Sequence, residues 1–158
     1  KKDKELNYII DENNDLKVGD QVKMVIDWKR RYSLMRLHFA AEIVLELMYK
    51  KIPGIIKIGA HIAQNKARID FATDQNSAQF IQPLQQEAQR IIDAHYKIEC
   101  GFSDEKIERR YWKIPGFAEV PCGGTHVRNT EEIGIIQLKR SNPGKGKERI
   151  EIYVANRN

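Results

Sequence analysis

The segment from Asp27 to Lys51 most constrains how this chain can fold. Leu34, Leu37, Ala41, Leu45 and Met48 recur at helical spacing, which predicts one long helix with a buried stripe. Pro53-Gly54 ends it. His38 and Glu42 lie four residues apart on that helix, so both side chains point to one side, at the edge of the stripe. A buried carboxylate without a partner is costly, so Glu42 calls for a cation, a metal or several donors. The plain alternative is a slightly rotated helix whose Glu42 reaches water.

The flanking segments read as shorter elements. Gln21 to Trp28 alternates apolar Val22, Met24, Ile26 and Trp28 with polar residues, as a strand does. Ile55 to Ala63 and Ala67 to Ala72 read as two strands joined by Gln64-Asn65-Lys66. Asp74 is positioned to cap a second helix running to about Tyr96. Pro83 either kinks that helix or moves its start to near Gln82. Lys97 to Phe102 reads as a strand. Ser103-Asp104-Glu105 reads as the start of a short helix carrying Arg109, Arg110, Tyr111 and Trp112. Ile133 to Arg140 and Glu148 to Val154 read as a closing hairpin around a Pro- and Gly-bearing loop.

The 158 residues fit one domain, or one with a small appendage. No apolar run approaches the ~18 residues of a membrane span, and the start has no signal-peptide pattern. The chain opens Lys-Lys-Asp-Lys rather than with Met, as a trimmed form or part of a longer protein would. Two cysteines, Cys100 and Cys122, make no disulfide framework, so a reducing, cytoplasmic location is expected. The net charge of +5 is compatible with a polyanionic partner such as RNA, though many basic proteins bind none. The context of Cys100 suggests no role for it.

The densest chemistry lies in Pro121-Cys122-Gly123-Gly124-Thr125-His126. Cys122 and His126 share the i,i+4 spacing, but two glycines argue for a tight turn rather than a helix. Glycines let backbone approach a ligand closely and turn amides toward an oxyanion. Cys-x-x-x-His and His-x-x-x-Glu are each weak motifs. Together, His38, Glu42, Cys122 and His126 make a four-ligand set suited to zinc. The plain alternative is a buried free cysteine beside a hydrogen-bonded histidine.

Asp27-Trp28-Lys29-Arg30-Arg31, Met35-Arg36-Leu37-His38, Arg68-Ile69-Asp70-Phe71 and Cys122-Gly123-Gly124-Thr125-His126 follow one another in an order that resembles the alanyl-tRNA editing domain. That domain occurs inside alanyl-tRNA synthetase and as free-standing AlaX-type proteins, and is related to the editing domain of threonyl-tRNA synthetase. The likeness covers roughly residues 17 to 154, and the Cys-Gly-Gly-Thr-His segment is its most specific part.

The resemblance implies an α+β fold, a twisted, mainly antiparallel sheet packed with helices around a zinc cleft. It makes residues 27–158 the editing-like domain and residues 1–26 the tail of a barrel-like segment or a linker. It implies zinc-dependent hydrolysis of mischarged tRNA, with Ser-tRNA(Ala) or Gly-tRNA(Ala) as substrates. The implied ligands are His38, Cys122 and His126, with position 42 as the fourth. The family has His there and this chain has Glu42: either Glu42 ligates the metal or acts as a general base, or the site holds metal weakly or not at all and the activity is lost or changed. Gly123, Gly124 and Thr125 are implied to stabilise the oxyanion. The family reads the serine hydroxyl from the strand after the first helix, where this chain has Gly59 or Ala60; His61 is a candidate replacement donor, and on an alternating strand it equally reads as facing solvent. Asp70 is a candidate for holding a ligand or the substrate amine, and it also reads as a structural residue at a strand end. Arg30, Arg31, Arg36, Lys145, Lys147 and Arg149 are candidate phosphate contacts, and each taken singly reads more readily as a solvated charge. Three other readings stay open: a non-catalytic RNA-binding module, an editing enzyme for another charged tRNA such as Ser-tRNA(Thr), and a small-ester metallohydrolase.

Overall fold

The computed structural model describes residues 8–157 and folds as α+β, two helices packed with antiparallel sheets. Helix α1 (Trp28–Lys51) begins where the Asp27 carboxylate accepts the Arg30 N–H at 3.0 Å. It ends with Lys50 and Lys51 in the last turn, just before Gly54 at φ 81°. From Leu37 to Met48 its buried residues fall on almost every side. The helix is therefore central, rather than a surface helix with one apolar stripe.

Strands β1 (Ile56–Ile62), β2 (Ala67–Ala72), β6 (Ile135–Gly144) and β7 (Lys147–Ala155) form one sheet in the order β1-β2-β7-β6. Ile69 and Phe71 of β2 and Ile150 and Ile152 of β7 are buried, with Arg68, Asp70, Arg149 and Glu151 alternating between them. Helix α2 (Ala78–Asp93) buries Leu84, Ala88 and Ile92, one turn apart, and runs through Pro83. Its Gln85 and Gln89 side chains accept the backbone N–H groups of Leu138 and Ile136 at 2.8 and 2.9 Å. Those contacts occupy the open edge that β6 would otherwise expose.

A second sheet stacks β3 (Glu99–Asp104), β4 (Arg109–Ile114) and β5 (Ala118–Pro121) in that order. It meets α1 through Trp112, whose ring packs edge-on to Phe39 at 5.0 Å between centroids.

Four expectations are corrected. The proposed strand from Gln21 to Trp28 does not form. Val22, Met24 and Ile26 are exposed, and no strand is paired with them among the described residues. A strand without a partner leaves its ladder groups unpaired. Residues 1–7 of the expected N-terminal segment lie outside the described residues. The helix expected from Ser103 is instead a β-hairpin. Asp104 accepts the Lys106 N–H at 3.0 Å, making a turn where a helix cap was expected. Trp112 and Ile114 are then buried at the two-residue period of a strand. Helix α2 starts at Ala78 rather than at Asp74, and ends at Asp93 before His95 takes φ 54°. Finally, the strands make two sheets instead of one.

Candidate metal centre and cleft

His38 projects from the middle of α1, and Cys122 and His126 from the loop that follows β5. One ligand atom from each of the three lies within 4.8 Å of the others. Cys122 Sγ stands 3.7 Å from His38 Nε2 and 3.4 Å from His126 Nε2. The Cys122 backbone N–H is anchored on the Arg110 carbonyl of β4 at 2.9 Å, and Arg110 Nη1 returns a bond to the Gly123 carbonyl at 3.2 Å. These contacts fix the loop to β4.

The glycines have different environments. A Cβ on Gly124 would lie 2.0 Å from His38 Cε1, while one on Gly123 would meet nothing within 4 Å. Only Gly124 is required by close approach. Its N–H turns onto Cys122 Sγ at 3.4 Å.

His126 is 9% exposed. Burial, together with neighbouring His38, pushes its pKa down to about 4. At neutral pH the ring is uncharged, the form that ligates metals. Burial raises the Cys122 thiol, partly offset by the Gly124 N–H. Glu42 stands outside the three-donor group. Its Oε2 accepts the Trp112 indole N–H at 3.0 Å and its Oε1 lies 3.4 Å from His38 Nε2. Burial works to raise its pKa, but the bonds from His38 and Trp112 outweigh it and hold the carboxyl below its ordinary value.

Two cavities meet at His38 and Ile62. One, of about 500 Å³, is walled by Arg31, Met35, Gly123, Gly124 and Thr125, and Arg31 Nη2 donates to Thr125 Oγ1 across it. The other, of about 270 Å³, is walled by Glu42, Leu45, Lys57, Ala60 and His61.

The remaining candidates sit elsewhere. Arg36 binds the backbone carbonyls of Ile133 and Ala155 and the Asn156 side chain, tying α1 to the end of β7. Gly59 pairs with Asp70 across β1 and β2, and Asp70 is held by Arg149 through two bonds and by Arg68. Arg30, Lys145 and Lys147 are exposed. Trp112, Arg110 and Cys100 are neighbours of this cluster that no local motif marks. Trp112 and Arg110 fall in the segment expected to be a helix, and the alternation of 109–114 is the one sign of a strand there. His95 and Glu131 pair at 2.8 Å through exposed side chains, and neither belongs to the three-donor group. Among the described residues, no helix is long and apolar enough to cross a membrane.

Residues 110–151, from β4 to mid-β7, match the family described as the threonyl and alanyl tRNA synthetase second additional domain. The alanyl-tRNA editing protein AlaX-M of Pyrococcus horikoshii is 34% identical over 159 aligned residues, 97% of this chain and 72% of that protein. AlaX-M of Saccharolobus solfataricus is 37% identical, over 95% of this chain and 71% of its own length. The alanine–tRNA ligase of Staphylothermus marinus is 33% identical over 76% of this chain and 15% of that enzyme. Identity above a third across nearly the whole chain, with the Cys122–His126 loop inside the matched segment, shows that the chain belongs to the AlaX-type alanyl-tRNA editing family.

Proposed function

We propose that this protein hydrolyses the ester of a mischarged tRNA, serine or glycine carried on tRNA(Ala), in the cleft between α1 and the 122–126 loop, with zinc as its metal. The relatives named alanyl-tRNA editing proteins support the reaction class. The observation that carries the reading is the convergence of His38, Cys122 and His126 at the meeting point of two cavities. Two imidazoles and a thiol are ordinary zinc donors, and His126 is already neutral, so the residues fit the ion. The chemistry zinc supplies when bound there is Lewis acidity.

The larger cavity has a cation at its wall in Arg31, which suits the terminal ribose and its phosphate. The smaller cavity suits the amino-acid side chain, with His61 available to bond a serine hydroxyl. The Gly123 N–H and Thr125 hydroxyl face the ester carbonyl oxygen and stabilise the charge that develops on it. Glu42, held through Oε2 by the Trp112 indole N–H, accepts the proton of the attacking water at Oε1. The water oxygen bonds the ester carbonyl carbon, the C–O bond to the ribose breaks, and Glu42 returns its proton to the departing ribose oxygen.

Deacylation of seryl-, glycyl- and alanyl-tRNA(Ala), assayed with zinc supplied, tests this reading. Seryl- and glycyl-tRNA are expected to be cleaved and alanyl-tRNA spared. Glu42→Gln is expected to lower kcat by about 10²–10⁴-fold. With Ser-tRNA(Thr) run alongside, cleavage of that substrate alone would reassign the substrate, and hydrolysis of none of the four would overturn the reading.

A further inference from the structure

Cys100 takes no part in the reaction just described, yet its Sγ lies 3.5 Å from Nδ1 of His126. The opposite nitrogen of the same ring, Nε2, lies 3.4 Å from Cys122 Sγ. One imidazole is therefore held between two sulfurs, and only Cys122 belongs to the converging three-donor group. Cys100 sits on β3 directly opposite Trp112 on β4, and cross-strand partners project from the same face of a sheet. Trp112 holds Glu42 through its indole N–H. The face of the small sheet turned toward the cleft thus grips two residues of the site, one through each member of a single cross-strand pair.

A neutral imidazole that offers its lone pair at Nε2 carries its proton on Nδ1. That proton needs an acceptor when the ring is buried, and His126 is buried. Metal-bound histidines usually donate this second N–H to a carboxylate or a backbone carbonyl. The partner this structure gives it is sulfur.

We propose that Cys100 is a positioning residue of the metal site: its sulfur accepts the Nδ1–H of His126, and so fixes the tautomer and ring orientation that turn Nε2 toward the metal. The proposal rests on the zinc reading above. It requires a sulfur lone pair only, so the neutral thiol suffices.

The test measures zinc affinity by chelator competition, and absorption of the cobalt-loaded protein, for wild type, Cys100→Ala, Cys100→Ser and Cys122→Ala. Thermal unfolding of the metal-free chains, run alongside, checks that each variant folds. Cys100→Ala is expected to weaken zinc binding by about 10–100-fold, and Cys100→Ser, which keeps an acceptor, to recover part of that loss. The sulfur-to-cobalt band is expected to keep its intensity in both Cys100 variants and to vanish in Cys122→Ala. A Cys100→Ala chain that folds and binds zinc like wild type would overturn the positioning role alone. So would a band reduced by that variant, because Cys100 would then be a ligand. If wild type binds no zinc, both this proposal and the metal reading beneath it fail.

Discussion

Gly124 shows how one missing side chain sets the geometry of the cluster. Its Cα passes so close to His38 that a methyl group would lie 2.0 Å from the ring. Nothing smaller than glycine exists, so Gly124→Ala must move either His38 or the loop. A displacement of about 1 Å in a reacting site can cost about 10²-fold in rate. A fall of that order in kcat/KM, together with weaker zinc binding, is the expected result, and wild-type zinc affinity would show that His38 moves aside freely. A second prediction concerns Glu42, whose Oε2 depends on the Trp112 N–H. Trp112→Phe keeps a ring against Phe39 but removes that donor. Leaving a buried acceptor without its partner costs about 1–3 kcal/mol. Urea denaturation of Trp112→Phe, Glu42→Ala and the double variant forms a cycle that separates this loss from the smaller ring. Additive effects would mean that the bond contributes nothing.

Among the elements, the β6–β7 hairpin depends on one buried carboxylate. Glu148 accepts Arg140 through both oxygens and the Ser77 hydroxyl at 2.6 Å. Ser77 stands at the start of α2 but makes no side-chain cap bond to it, because its hydroxyl is turned to Glu148. Arg140, with help from Ser77, holds the Glu148 pKa below its ordinary value of 4.5. A depressed carboxyl pKa stabilises the fold above the unfolded-state value, and that stability is lost as pH falls through the folded-state value. Glu148→Gln is therefore expected to be less stable than wild type at pH 7, with the gap closing below about pH 4.5 as Glu148 itself protonates. Urea midpoints measured across pH 3 to 7 read this directly, and a gap constant over the range would refute it. The same hairpin was legible in the sequence because its strands alternate, although β6 runs past the expected end at Arg140 through Pro143 to Gly144 and leaves only Lys145-Gly146 as the turn. Helix α1 was legible from its spacing and its Pro53-Gly54 stop. Strand β4 was not, because Ser103-Asp104-Glu105 is equally good chemistry for an Asx turn and for a helix start, and only packing against α1 decides. The alternation from Val22 to Trp28 misled for the opposite reason: the period was right, but a strand also needs a neighbour.

For the whole molecule, the cluster joins parts of the chain that are far apart in sequence. His38 and Cys122 are separated by 84 residues, one on the central helix and the other beyond the small sheet. Their separate motifs could be read from spacing, but Cys100 and Trp112 reach the site only through tertiary packing, which no local pattern announces. A metal that binds the folded cluster and not the unfolded chain stabilises the fold by mass action, by about 2.7 kcal/mol when free zinc is 100 times its dissociation constant. For a domain of this size, that corresponds to a rise of about 5–10 °C in the unfolding midpoint. Adding zinc to chelator-treated protein should raise the midpoint by that amount, and a strong chelator should reverse it. Cys122→Ala should remove the response, since it takes away the sulfur between the two imidazoles. The response belongs to the joined layers rather than to either one. A ligand set confined to the 122–126 loop would order only that loop, and the cooperative midpoint would then stay where it was as zinc was added.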